Sequence, residues 1–544
     1  MRKPMELKIG ILCDNFNFKL WQQEIIEQIF LISGLELSLI ILNDQKASKP
    51  SINKLGYRAL TYIDRKFFKV QHDAFQIKDM KKALKDVSVI RVQPKPLNFG
   101  VKFSSEDVAK VESYGLDILI RFGFGIIKGD ILNAARFGVW SLHHGDNMVN
   151  RGGPPGFWEV VKSESITGIT LQKISADLDG GKVLRKSFVK TDATSFYRNQ
   201  NAAFWAGVEL MCSSLKDLRD EQLSLSKDEN FGESMFYSYP LYKDPGNLRS
   251  FGIFCSFWVR RLKEAFNEKY APPQWSLAYK YSLKNRVESS IFRYKNLLPP
   301  KGYEWADPFV VFEDQHYYVF IEELEKKRKN AHLSYLKFDN KGQLLTPNAM
   351  KVIEEDFHLS YPFIFKEGGQ YYMIPEMAQS HEVWIYKATK FPNKWEKFHL
   401  LFEDKQLFDP SLYYHDNTWY LFGTEKTNIG SSSDQFLCLY YSEDLFSGKW
   451  MPHPLNPVTR DVRGARPAGK IFNWKDKLIR PGQIGAPNYG YGVQFHEIIR
   501  LSKTEFEERP VDVLVPEWTD NIKAVHTVNF EKGFSVIDKQ GTKI

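Results

Sequence analysis

The second half of the chain repeats itself, and this constrains the fold more than any other feature. WADPFVVFEDQHYYVFIEE (305–323) is echoed by LSYPFIFKEGGQYYMIPEM (359–377), LFDPSLYYHDNTWYLFGTE (407–425) and GARPAGKIFNWKDKLIRPG (464–482). Each copy holds a proline, an alternating apolar strand, a polar turn and a second strand, aromatic-rich in the first three copies. The prolines Pro308, Pro362, Pro410 and Pro467 are 54, 48 and 57 residues apart. AVHTVNFEKGFSVID (524–538) then puts His526 at the proline position, 59 residues after Pro467. Periods near 50 with several short strands each mark the blades of a propeller, because one blade cannot bury its apolar faces alone. Five copies predict an all-β five-bladed propeller over 271–544, with a strand at Trp275–Tyr281 closing the ring. The aromatic fraction of 15% suits that architecture and a sugar-binding surface.

The first half follows another rule. Leu7–Cys13 (LKIGILC), Leu35–Leu42, Val87–Val92 and Leu116–Arg121 (LDILIR) read as short apolar strands. Between them lie helical patterns at Trp21–Ile32 and from Ser104 or Ser105, where acidic residues fill the first turn. Strands separated by helices predict βαβ units on a mainly parallel sheet, with ligands beyond the carboxyl ends of the strands. A helix at Val208–Leu218 closes this part. Residues 219–270 are charged, Ser-rich and broken by prolines, and predict a connector with one or two helices. The expected domains are thus 1–218, a 219–270 connector and 271–544, since 544 residues exceed what one hydrophobic core serves.

Composition excludes several classes. The net charge of +8 is spread without basic blocks, so no nucleic-acid partner is expected. Cys13, Cys212, Cys255 and Cys438 have no CxxC spacing, which argues against a disulfide framework or zinc finger and for a reducing, cytoplasmic setting. The first fifteen residues lack a secretory apolar region. The longest later apolar run, Phe251–Val259, is about half of a membrane span, so no transmembrane segment is expected. It continues into Arg260, Arg261 and Lys263, leaving open both a peripheral membrane contact and a buried interdomain helix.

The densest chemistry lies in FGVWSLHHGDNMVNRGGPPGFWEVV (137–161) and GITLQKISADLDGGKVL (168–184). Here roughly residues 5–215 resemble the folate-dependent formyltransferases of methionyl-tRNA and sugar amines. That pattern is Asn-x-His-Pro-Ser, then Arg-Gly with prolines and Trp, then Gly-hydrophobic-Thr, then Leu-Asp-x-Gly. His143 stands at the family's catalytic histidine. Arg151, Gly152 and Trp158 match the following loop, Gly168 and Thr170 the next strand, and Asp179 with Gly181 the last element. The resemblance implies an N-terminal α/β, Rossmann-type formyltransferase-like domain that uses 10-formyltetrahydrofolate. Formyl transfer to an amine develops an oxyanion and an ammonium, so an imidazole and a carboxylate suit it. His143 and Asp179 would take those roles. Ser141 replaces the family's asparagine, and a serine offers one shorter donor. His144 and Gly145 replace its proline and serine, and His144 or Asp146 could compensate. The implied substrate-side residues are Arg151, Gly152, His144 and Asp146. The implied cofactor loop is RFGFGII, with Arg121, Phe122, Gly123 and Ile126. No metal centre is expected, because His143 and His144 are adjacent and an extended segment turns them to opposite faces.

The blade motifs ADPF (306–309), SYPF (360–363) and YMIPE (372–376) resemble furanosidase-type glycoside hydrolases and, more closely, the N-terminal propeller of plant glucosamine inositolphosphorylceramide transferases. Asp307, Tyr361, Asp409, Arg466 and His526 are equivalent blade positions, expected around one channel together with Glu376. Glycoside hydrolysis needs two carboxylates about 5–9 Å apart. The acids at blade starts are incomplete, and the mixed set predicts a ligand with hydroxyls and a negative charge. The whole chain then reads as a formyltransferase-like enzyme acting on an amino sugar, nucleotide sugar or glycan held by the propeller. The alternative is a glycan-processing or glycan-binding protein whose propeller carries the function and whose first domain is degenerate.

Overall fold

The computed structural model describes residues 5–45, 54–176, 181–221, 241–270, 272–282, 293–516 and 522–542. Asp179 lies outside them. The chain divides into two compact units, one of Met1–Arg261 with Thr427–Ser431 and one of Leu262–Lys426 with Ser432–Ile544.

The first unit is built on a seven-stranded sheet. Its strands are β1 (Leu7–Cys13), β2 (Leu35–Asn43), β3 (Ser88–Val92), β4 (Ile118–Arg121), β5 (Val139–His143), β6 (Ile166–Lys173) and β7 (Lys182–Lys190). The spatial order is β7-β6-β5-β4-β1-β2-β3. β1 to β5 pair in parallel, and β6 and β7 turn antiparallel. β1 and β4 read as nearly continuous apolar runs because both faces of the sheet centre are covered. The chain winds outward on one side of β1 through β2 and β3, and on the other through β4 and β5. The crevice between the carboxyl ends of β1 and β4, at Cys13–Asp14 and Arg121–Phe122, is therefore the topological switch point.

Five helices matter here: α1 (Leu20–Leu31), α2 (Leu55–Phe67), α3 (Ser105–Glu112), α4 (Phe196–Arg219) and α5 (Asn247–Tyr270). α3 starts where the sequence indicates, with Ser104 Oγ accepting from Asp107 N. α4 is twice as long as the apolar pattern suggests. It begins at a second serine cap, Ser195, which accepts from Arg198 N, and nearly all of its length is buried. α5 occupies the latter part of the expected connector.

In the second unit the repeats become antiparallel sheets. Three four-stranded sheets begin at Tyr303–Glu313, Ser360–Glu367 and Leu407–His415, and a fourth begins at Phe472–Trp474. The fifth joins the two ends of the region, with Pro273–Tyr281 pairing antiparallel to Phe534–Thr542 in the register Leu277↔Asp538. Asp307, Tyr361 and Asp409 share one backbone device. Each precedes a proline, sits at φ of 48°, 45° and 51°, and marks a bulge where the register shifts. Left-handed backbone in a non-glycine residue is strained, and the same strain recurring in three repeats turns three strands inward alike.

Candidate functional site

In the first unit the site grows out of strand register. β5 pairs Val139 with Leu119 and Trp140 with Ile120, so the next step sets Ser141 beside Arg121. Arg121 Nε and Nη2 both donate to Ser141 Oγ, at 3.1 and 2.8 Å, and Nη1 donates to Gly125 O. Ser141 is buried and its oxygen already accepts two bonds, whereas Arg121 is only half-buried. The donors at the position of the family's asparagine therefore belong chiefly to Arg121, which the sequence assigned to the cofactor loop. His143 lies two residues on, on the same face of β5 as Ser141. Its Nε2 is 2.9 Å from Asn150 O. A carbonyl only accepts, so Nε2 carries a proton toward it.

Two expected substrate contacts are structural instead. His144 faces away from His143, stacked on Phe204 at 3.5 Å and edge-on to Trp21 at 5.6 Å. Burial, helped by His143, Lys19 and Arg121, pushes its pKa well below 6.5, so it packs as a neutral ring. Asp146 shapes the turn after β5. Its Oδ1 accepts from Met148 N at 3.0 Å and from Lys186 Nζ at 2.6 Å.

The Arg151–Gly156 loop is pinned to the segment before α5. Tyr242 N donates to Arg151 O at 2.9 Å, and Gly153 N donates to Tyr242 O at 3.2 Å. Gly152 stands at φ +85°, where a Cβ would come within 2.3 Å of Tyr242 O, so only glycine fits. Trp158 Nε1 donates to Gly153 O, and its ring stacks on Tyr242.

The 121–126 loop fits a flat, partly apolar cofactor. Phe122 and Ile126 are half-buried, and Phe122 stands edge-on to Trp21 at 5.2 Å. Gly125, at φ +59°, has open space where a Cβ would point. Phe122 N and Gly123 N donate to Leu12 O, and Phe124 N to Asp14 Oδ1, which anchors the loop at the switch point. A Cβ on Gly123 would lie 2.7 Å from Asp14 N, so that glycine serves the fold. The sequence reading missed Asn147. It is fully buried, and neither amide atom has a hydrogen-bond partner among the described residues. A buried amide left unsatisfied calls for an explanation, and nothing in the local sequence signals it.

The second unit gathers its predicted residues around one polar centre. Arg466 grips Asp409 with Nε and Nη2, at 2.6 and 3.0 Å, and its Nη2 also donates to Glu376 Oε2 at 2.8 Å. Gln483 Nε2 adds a bond to Asp409 Oδ2 at 2.6 Å. Asp307 accepts from Thr527 Oγ1 at 2.6 Å and from Tyr361 N at 3.2 Å. His526 Nδ1 lies 2.6 Å from Asp538 Oδ2, and its Nε2 lies 3.7 Å from Asp307 Oδ1. Tyr361 is a plug: its hydroxyl meets Ser411 Oγ at 2.8 Å and accepts from Gly469 N at 2.8 Å. These contacts draw on all five sheets.

A cavity of about 320 Å³ opens onto this centre. It is lined by Asp307, Glu376, Arg466 and His526, and by Trp275, Glu304, Glu322, His358 and Tyr489, which the sequence reading did not single out. Glu322 ends the same repeated strand as Glu376, and that repeat was the available signal. Six acids stand here, Glu304, Asp307, Glu322, Glu376, Asp409 and Asp538, against four cationic partners, Lys326, His358, Arg466 and His526. Arg466 serves two acids, as does His526, so six acids share four cationic partners. Burial raises the Asp307 pKa to about 7 against the pull of His526, and it holds Glu376 well above its usual range against the pull of Arg466. With Arg466 committed to two carboxylates, the anionic ligand expected from the sequence loses its main counter-charge.

Asp307, His526 and Asp538 also come close enough to ligate one cation. Their oxygens are heavily used, however. Asp538 Oδ1 accepts from His526 N and Thr527 N, and its Oδ2 accepts from Asp307 N. A metal would have to displace bonds that hold the fifth sheet to the first.

Comparison with known proteins divides along the same line. The model of the family described as glucosamine inositolphosphorylceramide transferase 1, N-terminal, matches residues 300–532. Glucosamine inositolphosphorylceramide transferase 1 of Oryza sativa subsp. japonica is 33% identical over 214 residues, covering 39% of this chain and 28% of that protein. Methionyl-tRNA formyltransferase of Prochlorococcus marinus (strain MIT 9215) is 29% identical over 102 residues, covering 19% of this chain and 30% of that one. Zg3597, a family 117 glycoside hydrolase from Zobellia galactanivorans, aligns with TM-score 0.33 and 12% identity over 49% of this chain and 91% of its own. The chain thus spans less than a third of the length of these curated relatives. It joins a formyltransferase-like region to a region similar to the N-terminal part of the plant transferases.

Proposed function

We propose that this chain is a glycan-pathway transferase whose first unit moves a formyl group onto an amino sugar and whose second unit is a closed five-bladed propeller that holds the sugar or glycan. The observation that carries the reading is the pairing of Arg121 with Ser141 beside His143 at the carboxyl edge of the parallel sheet. When bound, 10-formyltetrahydrofolate would supply the formyl group, with Phe122, Ile126 and the Gly123–Gly125 turn as its holders. Arg121 and Ser141 present N–H and O–H donors to a carbonyl oxygen as negative charge develops on it. His143, oriented by Asn150 O, would take the proton that the attacking amine must lose and pass it to the folate nitrogen whose bond to the formyl carbon breaks. Asp179 would assist that transfer by resemblance. The pinned Arg151–Gly156 loop borders the acceptor.

The acid-rich cavity supports an amino sugar as the substrate class, since an ammonium answers acids that share their cationic partners and aromatic Trp275 and Tyr489 suit a sugar face. The test incubates the full chain with 10-formyltetrahydrofolate and a panel of free and nucleotide-linked amino sugars, following product mass. N-formylated sugar lost in His143→Asn supports the reading. Folate binding without any formylated product across the panel sinks it.

A second reading rests on Asp307 and Glu376, two carboxyls with raised pKa facing one cavity, an arrangement that suits acid–base work on a glycosidic bond. It predicts glycan cleavage or transfer abolished by Asp307→Asn or Glu376→Gln and indifferent to His143→Asn.

A further inference from the structure

α5 is apolar on two opposite sides, and only one of them is covered. Ile253 and Phe257 are buried with Leu60, Phe157, Trp158 and Phe196 in one cluster. A surface helix ordinarily turns polar residues outward from such a face. Here the outward side carries Leu248, Phe251, Val259, Leu262, Phe266 and Tyr270, each 62–92% exposed. At 100° per residue these six fall within an arc of about 100°. A continuous apolar strip of that kind marks a binding surface. It continues onto α2, where Phe67 is exposed and stands edge-on to Trp258 at 6.0 Å.

The charges flanking the strip say what covers it. α5 holds five basic residues, Arg249, Arg260, Arg261, Lys263 and Lys269, against two acidic ones. Arg249, Lys263 and Lys269 are exposed at or near the edges of the arc. α2 adds exposed Arg58 and Lys66, while its one acid, Asp64, is buried against Ser195 Oγ and Tyr197 N. A second copy of the chain would set these basic edges against each other across a seam. Anionic head groups would neutralise them. No helix among the described residues is long and apolar enough to cross a membrane, so a one-sided strip with basic margins lies flat in an interface.

We propose that α5 is an in-plane anchor that docks the chain on an anionic lipid surface, with Phe251, Val259, Leu262 and Phe266 entering the acyl boundary and Arg249, Lys263 and Lys269 at head-group level. This goes beyond the catalytic reading and stands whether or not formyl transfer is found.

The test is co-sedimentation of the full chain with extruded vesicles of pure phosphatidylcholine and of phosphatidylcholine with 30% phosphatidylserine (a composition on the order of a cytoplasmic leaflet), at low and high salt. Binding should favour the anionic vesicles and weaken with salt. Lys263→Glu with Lys269→Glu should reduce it by at least about twentyfold, since each basic residue near such a surface contributes about fivefold. Phe251→Ser with Phe266→Ser should abolish it without moving the thermal midpoint, because both side chains are exposed. Absence of vesicle binding in the wild type overturns the proposal. So does a wild-type dimer in sedimentation velocity that the Ser variant dissolves, which would make the strip a self-interface.

Discussion

The two candidate sites hold charge in opposite ways. At the switch point of the first unit, the half-buried Arg121 guanidinium bonds a neutral serine and a backbone carbonyl. In the second unit, Arg466 is buried between Asp409 and Glu376, and nearly every polar group there serves another. The first arrangement sets a half-buried guanidinium at the carboxyl edge of the sheet. The second invests its charges in holding five sheets together, and its acids outnumber their cationic partners. Conspicuous charged residues are therefore a poor guide to chemistry unless their partners are counted.

The sharpest way to break this contrast is Arg466→Ala. Removing one member of a buried pair leaves Asp409 and Glu376 uncompensated, which costs about 3–5 kcal/mol. Chemical denaturation should show the second unit losing most of its stability. Arg121→Ala, by contrast, should barely shift unfolding while removing formyl transfer. Equal destabilisation by the two variants would erase the distinction.

His143→Asn should lower the turnover of amino-sugar formylation by about 10²–10⁴-fold, the range for loss of a positioned acid–base group, with an unchanged melting curve. An unaffected rate would remove the first unit from the chemistry and leave the cavity as the active region.

The pH dependence of stability sharpens the contrast further. The Asp307 pKa rises from 3.8 to about 7 by burial, with Asp409, Glu322 and Asp538 adding to it. That of His526 rises from 6.5 to about 9, where Asp538 and Asp307 outweigh its burial. Each group keeps a proton in the fold that the unfolded chain has released. Their contributions are present at low pH and are lost as pH climbs, Asp307 across about 4–7 and His526 across about 6.5–9. Thermal melts should therefore show the second unit weakening from pH 5 to pH 9, and Asp307→Asn should flatten the lower part of that trend. A stability that rises over this window contradicts the assigned charge states.

The smallest expected effect is a binding signature. An ammonium entering the cavity should lower the Asp307 and Glu376 pKa values and release protons. Calorimetric titration with glucosamine in two buffers of different ionisation heat should report less than one proton released per site near pH 7. Proton uptake, or tighter binding of glucose 6-phosphate than of glucosamine, would return the cavity to the anionic ligand read from the sequence.

Much of the architecture was legible from pattern alone. Period-2 and period-3.6 alternation separated the halves, because burial on two faces, one face or one stripe leaves different spacings. The near-50-residue repeat made Asp307, Tyr361, Asp409, Arg466 and His526 candidates for one site, and three of them, Asp307, Tyr361 and Asp409, share the same backbone turn. The motif order around His143 pointed to β5 and β6 as the strands of the proposed site. Partnership was not legible. Whether Ser141 or Arg121 faces a reacting oxygen depends on the offset of β5 against β4, and no local sequence encodes an inter-strand offset. Whether His144 binds or packs depends on Phe204, sixty residues away on α4. Tyr361, Arg466 and His526 take different parts because each meets a different neighbour: Ser411 and Gly469, Asp409 and Glu376, and Asp538. α5 makes the same point: its sequence shows apolar residues with basic flanks, but only the packed chain decides which apolar side is spent on the core and which is left to face outward.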